Sequence, residues 1–364
     1  MKAAVLREVG KPLQIEDVQI GKPGPHEVLI RTRAAGVCHS DLHFVEGSYP
    51  HPLPAVLGHE SAGVVEQVGS EVRTVKPGDH VITCLSAFCG HCEHCLTGHM
   101  SLCVSPETRR DKKAEPRLFR EDASAPVMNQ FLNLSSFAEQ MLIHEHACTA
   151  IRKDMPFDVA ALIGCSVTTG IGAVIHTSSV RPGETVAVIG CGGVGLAAVN
   201  GAAIAGAGRI IAVDTQGSKL NLAKQFGATD VVDATQGDPV KQVLEMTGGG
   251  VHHSFEAIGL KTTAEQAFRM LRRGGTANII GMIPVGTMIE LHGADFLGEK
   301  RIQGSLMGSN RFPVDMPRFV DFYMSGKLKL DDMISRRIKL EQVNEAFEEL
   351  KRGEIARSAI VFDA

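Results

Sequence analysis

The stretch Thr185-Val186-Ala187-Val188-Ile189-Gly190-Cys191-Gly192-Gly193-Val194-Gly195, followed by an Ala-rich segment over 196–205 and then by residues 209–214, decides the fold. Its first five residues form a continuous apolar run, as in a parallel strand buried on both faces. The next six have the spacing G-x-G-x-x-G, which lets the backbone turn tightly and approach a pyrophosphate while the following helix offers its positive N-terminus. A second apolar run ends at Asp214, nineteen residues after Gly195, where a carboxylate can accept hydrogen bonds from ribose hydroxyls. The glycine spacing alone is a weak signal. Strand, glycine turn, helix, strand and acid in this order are a specific one. Gly190, Gly192, Gly193, Val194, Gly195 and Asp214 are therefore candidate dinucleotide contacts. The carboxylate would repel a 2′-phosphate and Thr215-Gln216-Gly217 offers no arginine to receive one, so NAD is expected rather than NADP.

The alternation continues outward from this stretch. Helices are expected over 219–226, 240–246 and 262–271, and strands over 231–232, 254–258 and 276–280, with Arg272-Arg273-Gly274-Gly275 as the last turn. This is the rhythm of a doubly wound parallel sheet. Upstream the texture differs, with short strands expected over 2–6, 27–34, 63–68 and 80–84. Pro23-Gly24-Pro25 and Lys76-Pro77-Gly78-Asp79 punctuate them, as in a mostly antiparallel β unit. A strand over 136–144 and a short helix over 156–162 follow. Beyond Gly304 come two helices, 315–324 and 340–351, and a strand over 358–362 that is expected to return to the first unit. The fold class is thus α/β, with a β-rich domain over 1–166 and 307–364 and a cofactor-binding domain over 167–306. Residues 104–135 carry six basic and five acidic side chains between Glu107 and Asp122 and three prolines, so no regular helix or strand is expected there. Such a segment is a solvated excursion or a lid or interface loop.

Cysteines and histidines concentrate in two places. Cys89, Cys92, Cys95 and Cys103, at spacings of three, three and eight, can wrap one tetrahedral ion. An iron–sulfur cluster is the nearest rival, although ferredoxin runs close with a cysteine after three residues and a proline, whereas Val104 follows Cys103. A shell of four thiolates leaves no open position, so this ion would stabilise a loop and do no chemistry. The second place reads Cys38-His39-Ser40-Asp41-Leu42-His43, a Pro-rich connector, and Gly58-His59-Glu60-Ser61-Ala62-Gly63. Thiol, imidazole and acid in so short a span suit a zinc ion with carboxylates orienting its ligands, though single Cys and His residues are as often structural.

Composition narrows the function classes. The 364 residues are 44% hydrophobic and 21% charged with a formal net charge of −4, so no basic excess argues for nucleic acid or an anionic membrane surface. The start lacks the apolar core of a signal peptide, and no run is expected to reach the ~18 apolar residues of a membrane span. A cytoplasmic protein is expected, with nine cysteines acting as ligands or core thiols rather than in disulfides.

With these residues laid out, the chain resembles the zinc-containing alcohol dehydrogenases of the medium-chain dehydrogenase/reductase superfamily. Residues 58–69 and then Pro77-Gly78-Asp79-His80-Val81 match the family's most diagnostic pattern, with the four-cysteine loop and glycine turn at the expected places. The resemblance implies a GroES-like catalytic domain beside a Rossmann domain and two zinc ions per chain. Cys38, His59 and Cys165 would hold the catalytic zinc, with Cys89, Cys92, Cys95 and Cys103 holding the structural one. It further implies a proton relay through Ser40 and His43, Asp41 behind the histidine ligand, and Glu60 as an acid near the metal. His39, Thr169, Lys219, Ile258, Ile280, Met282 and Arg357 would join the cofactor contacts.

The implied activity is reversible hydride transfer between a small-molecule alcohol and NAD, by a homo-oligomer, with a dimer favoured over a tetramer. Zinc with three protein ligands leaves a position for the substrate oxygen and lowers the alcohol's pKa, and a hydroxyl followed by a titratable imidazole can carry the proton out. His39 stands where some relatives have Arg. The glutathione-dependent formaldehyde dehydrogenase branch has an acid at the position of Tyr49 and an Arg near Glu107, and both are missing here. Leu85, Tyr49 and Met282 would line an apolar pocket suited to aromatic, allylic or medium-chain primary alcohols. Alternatives are a dehydrogenase that keeps its nicotinamide bound and passes electrons to an external acceptor, a thiol-adduct dehydrogenase, and a non-catalytic zinc protein that senses dinucleotide.

Overall fold

Strand Glu27–Val37 is the spine of the first unit, because its eleven residues pair on both edges. Along one edge its first half pairs antiparallel with Gln140–His144 and its second half with Arg357–Val361. Along the other it pairs with Ser61–Val68, in a register that sets Ala35 opposite Ser61. The remaining strands extend outward as His80–Thr83 and Cys148–Ile151 on one side and Ile334–Ile338 on the other. A second sheet of four strands contains Gln14–Asp17, Lys2–Leu6, Ala55–Val56 and Asn129–Gln130. Between the sheets and helix Val343–Arg352 lies a core of Leu6, Val37, Leu42, Leu57, Phe131, Phe137 and Phe347. The computed structural model describes residues 1–110, 115–120, 128–353 and 356–363.

The second unit is a six-stranded parallel sheet. Counting from Thr185–Ile189, its strands lie in the spatial order 3-2-1-4-5-6. Val188, Ile211, Phe255 and Ala277 are fully buried, as the unbroken apolar runs require. The chain divides into Met1–Cys165, Arg311–Gly326 and Leu330–Ala364 as one unit and Ser166–Asn310 with Lys327–Lys329 as the other. The three-residue return to the second unit is held by Asn200, whose side chain donates to the Lys327 carbonyl (3.2 Å) and accepts from the Lys329 amide (3.0 Å).

Several expectations need correction. The helix expected over 156–162 continues as Phe157–Thr177, through π-helical turns at Ile163–Val167 and Ala173–Thr177. It is also long and apolar enough to cross a membrane, contrary to the expectation that no run reaches that length, but 89% of its most apolar window is buried in the fold. Residues 104–135 are not wholly irregular where described. Leu118–Phe119 pairs with Gln19–Ile20, and Asn129–Gln130 with Ala55–Val56. Part of this expectation, 111–114 and 121–127, lies outside the described residues. The turn expected over 272–275 sits inside one strand, Leu271–Ile279, where the register shifts between Val251 and His253 on its neighbour. Among the strands that were not expected, Gln14–Asp17, Cys148–Ile151, Arg301–Gly304 and Ile334–Ile338 lie at sheet edges, where polar side chains blur the pattern.

His144, at the end of strand Gln140–His144, lies between the rings of His26 (5.8 Å) and His146 (5.1 Å). Burial, with the charge of His146 second, pushes its imidazole down to about 4, against an ordinary value of about 6.5. Between those values the unfolded chain binds a proton that the folded chain does not, so stability falls as pH drops through that window. Urea unfolding at pH 7 and pH 5 should show a smaller acid-dependent loss in His144→Gln than in the parent. An equal loss would assign the effect to other groups.

Candidate active site and metal centres

The register of the first unit brings the chemistry together. With Ala35 opposite Ser61, Cys38 and His59 leave adjacent strand ends, and the Gly36 amide donates to the Glu60 carbonyl (2.8 Å). Cys38 then precedes helix His39–Val45, whose third residue, Asp41, is fully buried. One Asp41 oxygen accepts from His59 Nδ1 (2.9 Å) and the Gly58 amide (3.2 Å), and the other from the Cys38 amide (3.3 Å). Gly58 takes φ +91°, and a side chain there would strike the Phe137 amide at 2.5 Å. With Nδ1 committed to Asp41, His59 presents Nε2, which lies 3.3 Å from the Cys165 sulfur. Cys165 sits in the first π-helical turn, directly after Gly164, where a Cβ would crowd the Thr83 carbonyl at 2.8 Å.

Cys38, His59 and Cys165 are all buried, and their ligand atoms lie within 4.8 Å of one another. Two sulfurs and an imidazole nitrogen, with the far side of the ring anchored by a carboxylate, are the donor set and backing that zinc takes. The residues therefore fit the ion. Without an ion, the three groups share protons among themselves, and one thiol is favoured as the thiolate. The Cys165 thiol hydrogen-bonds to Cys38 and holds the Cys38 thiol well below its ordinary range, with Arg357 helping and burial opposing. The same contact, with burial, pushes Cys165 up. Burial pushes His59 down, but the Asp41 carboxylate and Cys38 outweigh it and the net direction is up.

The other residues expected around this group fall at varying distances from it. Ser40 Oγ lies 3.6 Å from Cys38 Sγ. His43, one turn later, has ring centroids 5.4 Å from His39 and 6.1 Å from Tyr49, and no hydrogen bond joins it to Ser40 among the described residues. Burial lowers the His43 imidazole. Glu60 is fully buried with Oε2 3.5 Å from the Arg357 guanidinium, and Arg357, itself buried, also donates to the Val37 carbonyl (3.2 Å). Phe131, which no sequence motif marks, stacks edge-on against His59 at 6.0 Å and against Phe44 at 4.7 Å. It could be found only from the fold, because an isolated Phe in a loop carries no signal.

Cys89, Cys92, Cys95 and Cys103 converge as their spacing demands. Their ligand atoms lie within 4.8 Å, with Cys92 Sγ 3.5 Å from Cys95 and 3.8 Å from Cys103, too far for disulfides and right for one shared ion. The amide of His91 donates to Cys89 and draws its thiol down to about 6. Burial pushes Cys95 up to about 12. His91, His94 and His99 are exposed, and His91 pairs with Glu107 at 2.6 Å.

In the second unit, Gly190 turns at φ +92° at the end of the first strand, and a Cβ on Gly195 would overlap the Gly190 carbonyl. A Cβ on Gly192 would meet open space, which is the cradle a pyrophosphate requires in front of helix Gly193–Ile204. Asp214 ends the second strand. Its carboxylate accepts from the Cys191 amide (2.7 Å) and the Gln216 amide (3.0 Å), which ties the glycine turn to the neighbouring strand. Lys219 lies in helix Gly217–Gln225, and Thr169 donates to the Met307 sulfur (3.4 Å). Ile258, Ile280 and Met282 lie just beyond the fourth and fifth strands.

Residues 24–153 match the family described as alcohol dehydrogenase GroES-like domain, and residues 193–323 the family described as zinc-binding dehydrogenase. The chain belongs to the zinc-binding alcohol dehydrogenases. It is 39% identical to the S-(hydroxymethyl)glutathione dehydrogenase of Synechocystis sp., over 99% of each chain. Among solved structures it is similar to the alcohol dehydrogenase zinc-binding domain protein from Burkholderia ambifaria, with TM-score 0.94, 36% identity and coverage of 100% and 99%. It is also similar to benzyl alcohol dehydrogenase from Acinetobacter calcoaceticus, with TM-score 0.93, 33% identity and the same coverage. This alcohol dehydrogenase is therefore a zinc-dependent oxidoreductase of the medium-chain superfamily, with a GroES-like domain and a Rossmann domain.

Metal analysis of the purified protein should give two zinc ions per chain. Asp41→Asn keeps the size of the side chain but loses the charge behind His59, and should weaken retention of one of the two by about 10–100-fold in a chelator competition. Equal retention would separate Asp41 from metal binding.

Proposed function

We propose that this chain oxidises primary aromatic, allylic or medium-chain alcohols to aldehydes with NAD, and reduces them in reverse, at the Cys38–His59–Cys165 centre. The observation that carries this reading is that buried set of two thiols and an imidazole whose far nitrogen is fixed by Asp41, in a chain that also carries a glycine turn closed by Asp214. Cys38, His59 and Cys165 would hold a zinc ion that would supply Lewis acidity toward the alcohol oxygen, and the glycine turn with Asp214 would hold a nicotinamide dinucleotide that would supply the hydride acceptor. Everything else is done by side chains of the protein. Asp41 fixes the ring of His59, and Arg357 sets a positive charge close to the thiolates. Phe131 and Tyr49 make the surroundings apolar. Ser40, whose hydroxyl both donates and accepts, stands beside Cys38 to take the proton, and His43, one helical turn away, is the acceptor beyond it once a bound group bridges the two. Asp214 selects NAD by presenting a carboxylate where a 2′-phosphate would have to sit.

The name of the Synechocystis relative favours a second reading, in which a thiol adduct of formaldehyde is the substrate. Tyr49 offers no carboxylate for such an adduct, and Glu107 is paired with His91. A panel of benzylic, allylic, aliphatic and secondary alcohols, with formaldehyde plus glutathione as one arm, separates the two. The highest kcat/KM with NAD should fall on a benzylic or allylic primary alcohol. A maximum on the glutathione arm would select the second reading.

His43 is held below the ordinary imidazole value of about 6.5, so it stays a neutral proton acceptor into mildly acid solution. Turnover of the parent should therefore persist below pH 6.5, and His43→Ala should lose turnover most on the acid side of a kcat profile. A profile lowered without any change in shape would remove His43 from the proton path.

A further inference from the structure

The sheet of the second unit reverses its order between the first strand, Thr185–Ile189, and the fourth, Val251–Glu256. A doubly wound sheet opens its ligand crevice there, at the carboxyl ends of its strands. One wall of that crevice is the glycine turn. The other begins at Glu256, which ends the fourth strand, pairs with Ile189 and is fully buried. No motif in the sequence marks it.

Glu256 gathers five donors. Its Oε1 accepts from the Ile258 amide (2.9 Å), the Gly259 amide (2.8 Å) and the Thr263 hydroxyl (2.8 Å), which belongs to helix Lys261–Arg269. Its backbone carbonyl accepts from the amides of Ile280 (2.9 Å) and Gly281 (3.0 Å), just past the fifth strand. The packing around these bonds has no slack. A Cβ on Gly190 would overlap the Ile258 side chain, one on Gly259 would fall 2.5 Å from the Met282 carbonyl, and one on Gly281 would fall 2.5 Å from Glu256 Oε2. Ile258 and Gly259 thus hang from the buried carboxylate, while Ile280 and Gly281 hang from the backbone carbonyl of the same residue, and Ile258 stays 40% exposed against the first glycine of the turn. Asp214 lies on the second strand, on the far side of the glycine turn. A dinucleotide whose adenosine ribose meets Asp214 and whose pyrophosphate meets the turn must therefore extend its other half toward the fourth strand.

We propose that Glu256 is the positioning residue of the nicotinamide half of the crevice, its carboxylate pinning the segment of Ile258 and Gly259 to helix Lys261–Arg269 so that Ile258 stands as a preformed apolar wall opposite Gly190. This rests on the reading above that the chain uses a nicotinamide dinucleotide. A fixed wall spares the cofactor the entropy of ordering this segment on binding, so its loss appears as weaker binding of the half that touches it.

Calorimetric titration of the zinc-loaded enzyme with NAD and with ADP-ribose, which lacks the nicotinamide, tests this directly. Glu256→Ala should raise the Kd and KM for NAD by about tenfold, from the loss of three hydrogen bonds to a charged acceptor. ADP-ribose affinity, zinc content and the KM for alcohol should stay as in the parent. Glu256→Gln keeps an acceptor at the Oε1 position and should restore NAD binding to within about twofold, while Thr263→Val, which removes one donor outside the crevice, should fall between. The Val and Gln variants carry the test if the Ala variant does not fold. NAD binding unmoved in all three, or ADP-ribose weakened as much as NAD, would overturn the proposal. Failure of the parent to bind NAD at all would overturn the functional reading instead.

Discussion

The buried Asp41 carboxylate is the constraint on which the metal-binding unit depends. A charge with no exposure persists only where hydrogen bonds and an opposite charge compensate it. Asp41 meets that demand with two amides and an imidazole, drawn from two of the three segments that supply ligands. Satisfying one side chain therefore fixes the turn before the helix, the positive-φ glycine before His59 and the ring orientation of His59 at once. Removing one partner of a buried pair costs about 3–5 kcal/mol, a large share of a domain's stability, so this geometry is held firmly.

Sheet register does the rest of the assembly. Pairing Ala35 with Ser61 delivers Cys38 and His59 side by side, and a slip of one residue would turn His59 to the opposite face. Cys165 arrives from a helix instead. Its π-helical turn and the missing side chain at Gly164 let the helix lie close to strand His80–Thr83, which brings the third ligand within reach. Such turns cost helical regularity, and they recur where function re-aims a side chain.

The second unit solves its own version of the same problem at the carboxyl ends of its strands. Asp214 and Glu256 each end a strand and each accept from backbone amides of the loops beside the crevice, Asp214 through both carboxylate oxygens and Glu256 through Oε1. Loops that bind a cofactor are exposed and would otherwise be mobile. Tying them to acids rooted in a fully packed parallel sheet makes them part of the scaffold.

The sequence by itself determined every feature that depends on residue type at short spacing. The four-cysteine shell and the glycine turn with its closing acid were legible because each needs particular side chains at fixed spacings of about twenty residues or fewer, whereas Cys38 and His59, 21 residues apart, were legible as a candidate pair and became ligands only through the resemblance. The alternation of apolar strands with helices was legible because both faces of a parallel sheet are buried. The helix through Gly164 was not, since Gly164, Gly170 and Gly172 with Val167, Thr168 and Thr169 read as a break, and tertiary packing overrides that weak propensity. Cys165, 106 residues from His59, was legible only through resemblance to a family, because no local rule links residues so far apart. Glu256 was not legible at all. An acid inside an apolar run acquires meaning only when the strand order places it opposite the glycine turn and folding leaves three donors around its carboxylate. What the tertiary structure alone decided is which buried charges are satisfied and by whom, because that depends on register and strand order, and these are settled by the packing of the whole chain.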